Sequence, residues 1–251
     1  MSFLRVEGVS VNYSTPEGDL IALGGVSFAV STGEFVCLVG PSGCGKSTLL
    51  RILAGLLRPD QGQVWLNQRE MTAPRRQVGI VFQQANLMPW RTVLGNVLLP
   101  LELLGTPRLQ AHAQASELIE LVGLDEFARA YPAELSGGMA QRVAIARALA
   151  HDPDVLLLDE PFGSLDALTR ERMGQELLRI WHARRKTVLM VTHSISEAVF
   201  LADRVLVLSP RPGTVVATAP VELSRPRDLA LLESEAFGAL TGKVRAAIRD
   251  A

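Results

Sequence analysis

Residues 40–48 read GPSGCGKST, directly after the strand-like run EFVCLV and directly before a helical pattern. Few short stretches restrict a fold as strongly. The spacing G-x-x-x-x-G-K-[ST] calls for a strand, a tight turn and a helix in that order. Gly40, Gly43 and Gly45 permit backbone turns that let consecutive N–H groups point into one concavity. The helix start beyond adds partial positive charge. Such a cup suits phosphate. Lys46 is spaced to reach β- and γ-phosphates, and the Ser47 hydroxyl to ligate Mg²⁺. An ordinary glycine turn needs neither that lysine nor both flanking elements.

A second stretch, DVLLLDEP at residues 154–161, reads as a buried strand ending in Asp159 and Glu160. Acids at the carboxyl end of a central parallel strand belong beside a phosphate loop. One can serve the Mg²⁺ shell and the other can orient or deprotonate water. Without the phosphate loop, a solvated acidic turn would be an equal reading. His193, in LMVTHS, also follows an apolar strand, and that position favours a γ-phosphate contact. Gln83, in IVFQQ, ends another strand and is a candidate to reach the metal or the attacking water, which spacing alone does not decide. His112, His151 and His182 sit among polar residues and are expected at the surface. Tyr13 is one of two tyrosines. In an early strand it is either a hydrophobic plug or a stacking platform for a base.

The order of elements gives the fold class. LRVEGVSVNY and VSFAVSTG alternate with period two, and EFVCLVG is a continuous apolar run. A helix is expected from Lys46, with Leu49, Leu50, Leu53, Leu56 and Leu57 on its apolar stripe and Pro59 as its stop. GQVWLNQRE and VGIVFQQ read as further strands. Helical character then runs from about Asn86 to Ala150. Strands return with DVLLLDE, TVLMVTHS and DRVLVLS, separated by helices. This argues a mostly parallel α/β sheet with an inserted helical subdomain. SPRPGTVVATA is expected to form a turn and an edge hairpin. The stretch from RPRDLALLE onward reads as a C-terminal helix, with Phe237, Leu240, Val244 and Ile248 on one face.

Composition narrows the classes. With 251 residues and 48% hydrophobic content, one large domain or a domain with an insert fits. The net charge is -1 and no block of lysine or arginine occurs, which argues against nucleic acid as a partner. Two cysteines, Cys37 and Cys44, make no disulfide framework and suit a reducing compartment. The alternating N-terminus lacks the pattern of a signal peptide. No apolar run reaches about 18 residues, the length of a membrane-spanning helix. The best candidate, NVLLPLELLG, is interrupted by Pro100 and Glu102.

One stretch remains without evident chemistry. LSGGMAQR at residues 135–142 holds a serine, two glycines and an arginine, but no base and no ligand set. Taken with the other motifs, it resembles the ATP-binding subunit of ABC transporters. The likeness covers about residues 3–225, with every motif in order. GPSGCGKST looks like the Walker A loop, Gln83 like the Q-loop, and LSGGMAQR like the signature. DVLLLDE looks like Walker B, GSLDA at residues 163–167 like the D-loop, and VTHS like the H-loop. The segment LMPWRTVLGNV at residues 87–97, Met139 in the signature, and RPR at residues 225–227 are similar to the nitrate/sulfonate/taurine importer group. Ala140 and Gly95 depart from that group's pattern.

The resemblance implies a P-loop NTPase (RecA-like) core with an N-terminal antiparallel β-subdomain and an inserted α-helical subdomain. Residues 1–83 and 154–225 would form the ATPase core, 84–153 the helical subdomain and 226–251 a C-terminal helical tail. It implies ATP and Mg²⁺ as cofactors. Tyr13 would stack on adenine. Lys46 would hold phosphates with its loop, which comprises Gly40, Pro41, Ser42, Gly43, Cys44, Gly45, Ser47 and Thr48. The Cys44 thiol, at a free position of the motif, is given no role. Ser47, Gln83 and Asp159 would serve the metal. Glu160 would act as general base and His193 would hold the γ-phosphate.

It also supplies a task for LSGGMAQR. Ser136, Gly137 and Gly138 would cap the γ-phosphate held by a second copy in a head-to-tail dimer, with Asp166 crossing the same interface. Further implied partners are membrane permease subunits and, indirectly, an extracytoplasmic solute-binding protein. The location implied is the cytoplasmic face of the inner membrane. No long C-terminal regulatory domain of the sugar-importer kind is expected. The favoured solute is a small oxyanion or sulfonate, with thiamine precursors as competitors. A soluble ABC ATPase of DNA repair or translation, or an exporter ATPase, is the alternative. One cassette, no repeat and no basic field weigh against the soluble class, and the Pro89–Trp90 segment tilts toward import.

Overall fold

The computed structural model describes residues 2–16 and 18–250. In chain order it begins with β1 (Ser2–Thr15), β2 (Gly18–Ser31), β3 (Phe35–Val39), α1 (Lys46–Leu53), β4 (Gln61–Leu66), β5 (Arg69–Glu70) and β6 (Val78–Val81). There follow α2 (Val93–Leu103), α3 (Arg108–Leu121), α4 (Gly137–Leu149), β7 (Val155–Asp159) and α5 (Ala167–Arg184). The chain continues with β8 (Thr187–Val191), α6 (Ile195–Leu201), β9 (Arg204–Leu208), β10 (Val215–Pro220) and α7 (Glu235–Arg249). It forms two compact units, residues 1–75 with 186–251, and residues 76–185.

The first unit holds two groups of strands. β2, β1, β4 and β5 form an antiparallel sheet in that order. Asn67 and Gln68 turn between β4 and β5 with φ of 46° and 62°. Positive φ at both central residues is what a two-residue hairpin turn of matching twist requires. β3 lies between β8 and β9 and runs parallel to both, and β10 joins β9 antiparallel. The expected edge hairpin is therefore present. All five β3 residues are buried, as a strand covered on both faces must be. Cys37 is among them, and burial pushes its thiol well above the ordinary range. α6 packs on β3, and α7 packs on α6, β9 and β10.

In the second unit β6 pairs parallel with β7, in a register that sets Val81 beside Leu158. Helices α2, α3 and α4 lie between these strands in sequence and pack on one another. The α/β class, the mostly parallel strands and the antiparallel N-terminal sheet agree with the sequence reading.

Three local expectations differ from the structure. α1 stops at Leu53, not at Pro59. Gly55 takes φ 72°, Leu56 N–H donates to Arg51 O, and Gly55 N–H donates to Ile52 O. This left-handed glycine closure ends a helix. Leu56 is therefore 54% exposed and lies off the core stripe. The C-terminal helix begins only at Glu235, because the Ser234 side chain caps it by accepting from Phe237 N–H. His112, His151 and His182 are half-buried, not at the surface.

Candidate functional site

The first unit carries the phosphate loop at the carboxyl end of β3. Gly43 and Gly45 adopt φ of 76° and 99°, and Gly45 precedes the first turn of α1. Lys46 is only 6% exposed. Its Nζ donates to the carbonyls of Gly40 at 2.9 Å and Pro41 at 2.8 Å. The ammonium is thus held inside the curve of the loop, where the sequence places phosphates. Ser42 and Ser47 are exposed, and Cys44 is buried. Burial also raises the Cys44 thiol, which is inert in that state. Tyr13 is half-buried, with its hydroxyl 3.4 Å from Thr48 Oγ1. That contact brings the β1 tyrosine to the edge of the loop.

His193 follows β8. The strand is in parallel register with β3, Leu38 beside Val191, and Thr192 N–H donates to Leu38 O at 3.2 Å. The histidine therefore leaves the sheet at the same end as the loop, and it is exposed. Thr192 Oγ1 donates to Glu197 at 2.6 Å, and Ser194 caps α6. These bonds fix the turn that carries His193.

The second unit assembles another set. Gln83 follows β6 and Asp159 ends β7, so both emerge where the parallel pair ends. Glu160 takes φ 44°, a left-handed conformation that costs a non-glycine residue about 1 kcal/mol. Gly163 N–H donates back to Glu160 O at 3.0 Å and closes the turn. A methyl group at Gly163 would lie 3.2 Å from Gln83 Nε2 and 3.5 Å from Glu160 Oε2. The two side chains therefore border one spot, which glycine keeps open.

Ser136 is the N-cap of α4 and accepts from Met139 N–H at 3.3 Å. Ser136 and Gly137 are exposed, while Gly138 is buried against Thr169 and Met173 of α5. Asp166 caps α5 by accepting from Thr169 N–H at 3.0 Å. That bond holds its carboxyl below the usual range. The two caps stand at the starts of neighbouring helices, where the helix dipole favours negative charge.

The ABC transporter family profile matches residues 23–163. The chain belongs to the ABC transporter family. It is 51% identical over 223 residues to a taurine import ATP-binding protein, TauB, of Rhizobium johnstonii, covering 88% of this chain and 85% of that protein. It is 50% identical over 206 residues to a nitrate import ATP-binding protein, NrtD, of Synechocystis sp., covering 82% and 77%. A solved dimeric structure of a bacterial ABC transporter cassette superposes with a TM-score of 0.77 at 35% identity, covering 88% of this chain and 100% of that one. The resemblance to the nitrate/sulfonate/taurine importer group agrees with these relatives.

Several residues that organise this cassette escaped sequence reading. Asn96 is fully buried. Its amide donates to the carbonyls of Met88, Arg91 and Thr92, and it accepts from Met88 N–H. It thereby shapes the loop that presents Trp90, which is 72% exposed. Gln141 and Arg147 of α4 donate to the carbonyls of Phe82, Ala85 and Asn86. For Asn96 the available signal was a polar residue within the apolar stretch VLGNVLL; Gln141 and Arg147 lie in a helix that also holds Arg142 and carried no such signal.

Proposed function

We propose that this chain is the ATP-hydrolysing subunit of a bacterial importer for a small anion or zwitterion such as nitrate, a sulfonate or taurine. One observation carries the reading. A buried Lys46 lies within a glycine loop between β3 and α1, in a chain about 50% identical over most of its length to taurine and nitrate import ATP-binding proteins. In this reading Tyr13 stacks on adenine, the loop N–H groups and Lys46 bind phosphates, and His193 orients the γ-phosphate. Glu160 polarises the attacking water, and in-line displacement needs mainly positioning and charge neutralisation.

The donor set suits Mg²⁺ carried by a nucleotide. Among the described residues no three His, Cys, Asp or Glu side chains gather as a metal cage. Ser47, Asp159 and Gln83 would each offer a side-chain oxygen, a donor type that fits an ion taking its other ligands from phosphate and water. When bound, the ion neutralises charge on the β- and γ-phosphates.

Two copies work as a head-to-tail pair, with the α4 start of each capping the other's γ-phosphate. The dimeric form of the similar bacterial cassette supports this. A related solved structure is a post-hydrolysis state bound to ADP and phosphate. No helix among the described residues is long and apolar enough to cross a membrane. In this reading, which the import relatives support, the permease is a separate protein that this subunit meets at the cytoplasmic face of the inner membrane.

Steady-state ATPase and nucleotide-binding assays test the scheme. Glu160→Gln retains ATP binding, loses turnover by at least about a hundredfold, and accumulates as a dimer on size exclusion. Ser136→Arg retains nucleotide binding by the monomer and blocks hydrolysis. Wild-type rates in the first variant overturn the role of Glu160, and in the second they overturn the shared site. Where a solute-binding protein is encoded beside this chain, a ligand-binding assay on it reads the solute class.

A further inference from the structure

The turn between β9 and β10, residues 209–214, has no role in the scheme above, yet it grips the phosphate loop. The Arg211 guanidinium donates to the Gly43 carbonyl through Nε at 3.1 Å and Nη2 at 2.9 Å. Arg211 is exposed, and among the described residues its hydrogen bonds all go to this one oxygen. An exposed pair of bonds of this kind adds little to global stability. What it does is fix a direction.

The peptide unit is planar, and C=O and N–H point to opposite sides of it. Turning the Gly43 carbonyl toward Arg211 therefore turns the Cys44 N–H to the opposite side. There the N–H donates to Pro41 O at 3.4 Å, the same carbonyl that accepts from Lys46 Nζ at 2.8 Å. The Cys44 N–H thus faces the side of the loop that Lys46 occupies. Gly43 sits at φ 76°, where the backbone has the freedom to rotate this peptide away.

A second contact acts on the next peptide. A methyl group at Gly213 would lie 2.1 Å from the Cys44 carbonyl oxygen. Only glycine permits that approach. Gly213 is itself fixed, because its N–H donates to Ala22 O at 3.0 Å and its carbonyl accepts from Gly24 N–H at 3.0 Å. The turn is braced internally, with Ser209 Oγ donating to Pro212 O at 3.0 Å and accepting from Thr214 N–H at 3.0 Å. Two successive peptides of the loop therefore take their orientation from a turn more than 160 residues away in sequence (|i−j| 168).

We propose that this turn positions the phosphate loop, with Arg211 as a positioning residue that aims the Cys44 N–H at the nucleotide's phosphates. The inference rests on the ATP-binding reading above. Calorimetric titration with ADP, together with ATPase kinetics, tests it on the full chain. Arg211→Ala weakens ADP binding and raises the KM for ATP by about three- to fivefold, as expected when the binding-competent orientation of the loop is less populated, while kcat stays within about twofold. Its Tm stays within about 2 °C of wild type, as for other surface substitutions. Arg211→Lys keeps the charge but not the two-pronged hold, and recovers only part of the affinity.

Wild-type ADP affinity in Arg211→Ala overturns the inference. So does full recovery in Arg211→Lys, which would mean that charge alone acts. A Tm drop in Arg211→Ala that accounts for the lost binding also overturns it, as a purely structural role. Wild-type protein that binds no ADP overturns the nucleotide reading and this inference with it.

Discussion

Gln141 Nε2 donates to the Phe82 carbonyl at 3.1 Å, across 59 residues of sequence. Gln141 lies in the signature helix, and Phe82 precedes Gln83. Arg147 of the same helix holds the next carbonyls, of Ala85 at 2.7 Å and Asn86 at 2.8 Å. The segment bearing Gln83 and the helix bearing the signature are therefore strapped into one body.

Gln141→Ala leaves the Phe82 carbonyl without this donor and loosens Gln83. The expected cost is about 1–2 kcal/mol of stability, measured by urea unfolding. ATPase turnover should fall several-fold while nucleotide affinity stays at the wild-type level. Gln141→Glu, which keeps the shape and removes the donor, should behave the same way. Unchanged turnover in both variants would show that the strap has no part in hydrolysis.

Arg227 is buried, and its guanidinium donates to carbonyls of Phe200, Ala202 and Leu223 at 2.9, 2.8 and 3.1 Å, with Val199 at 3.3 Å. Burial pushes its pKa down to about 10, and Arg225 nearby adds to the shift. The group remains charged at neutral pH. It closes the C-terminal end of α6 together with Arg225, whose Nη2 donates to Leu201 O at 2.6 Å. Arg227→Ala should destabilise the chain by about 2–4 kcal/mol, read as a lower urea midpoint. Arg227→Lys, with a point charge in place of a fork, should recover only part of it.

His151 supplies a pH test. Burial lowers its pKa below the ordinary value of 6.5, and Arg76 adds to the shift, partly offset by the Val78 backbone and Asp152. The folded state thus binds its proton less readily than the unfolded chain. The stability linked to His151 is fully present above about pH 6.5 and declines as the pH falls through the lowered folded value. Thermal melts between pH 5 and 7.5 should show this decline, and His151→Gln should flatten it. An identical pH profile in the variant would assign the decline to other groups.

Much of the fold was legible because its signals are local. Period-two alternation, the apolar run of β3 and the glycine spacing of residues 40–48 each act over a few residues. The misreadings were also local events, decided by competing geometry. The run through Leu56 and Leu57 looked helical, but Gly55 closed the helix first. The apolar stretch after Asp228 looked continuous with α7, but the Ser234 cap set a new start. The three histidines sat among polar neighbours in sequence, yet the packing of their helices half-buried them.

By itself the sequence determined the family and the order of strands and helices, and it nominated the residues proposed for ATP chemistry. Those depend on side chains at set spacings, and side chains are what a sequence displays. Only the tertiary structure decided which backbone carbonyls Arg211, Gln141 and Arg227 would hold. Every residue carries a carbonyl, so nothing in the letters distinguishes that of Gly43 or Phe82. The partner is chosen by the path of the chain, which brings groups 168 and 59 residues apart within hydrogen-bonding distance.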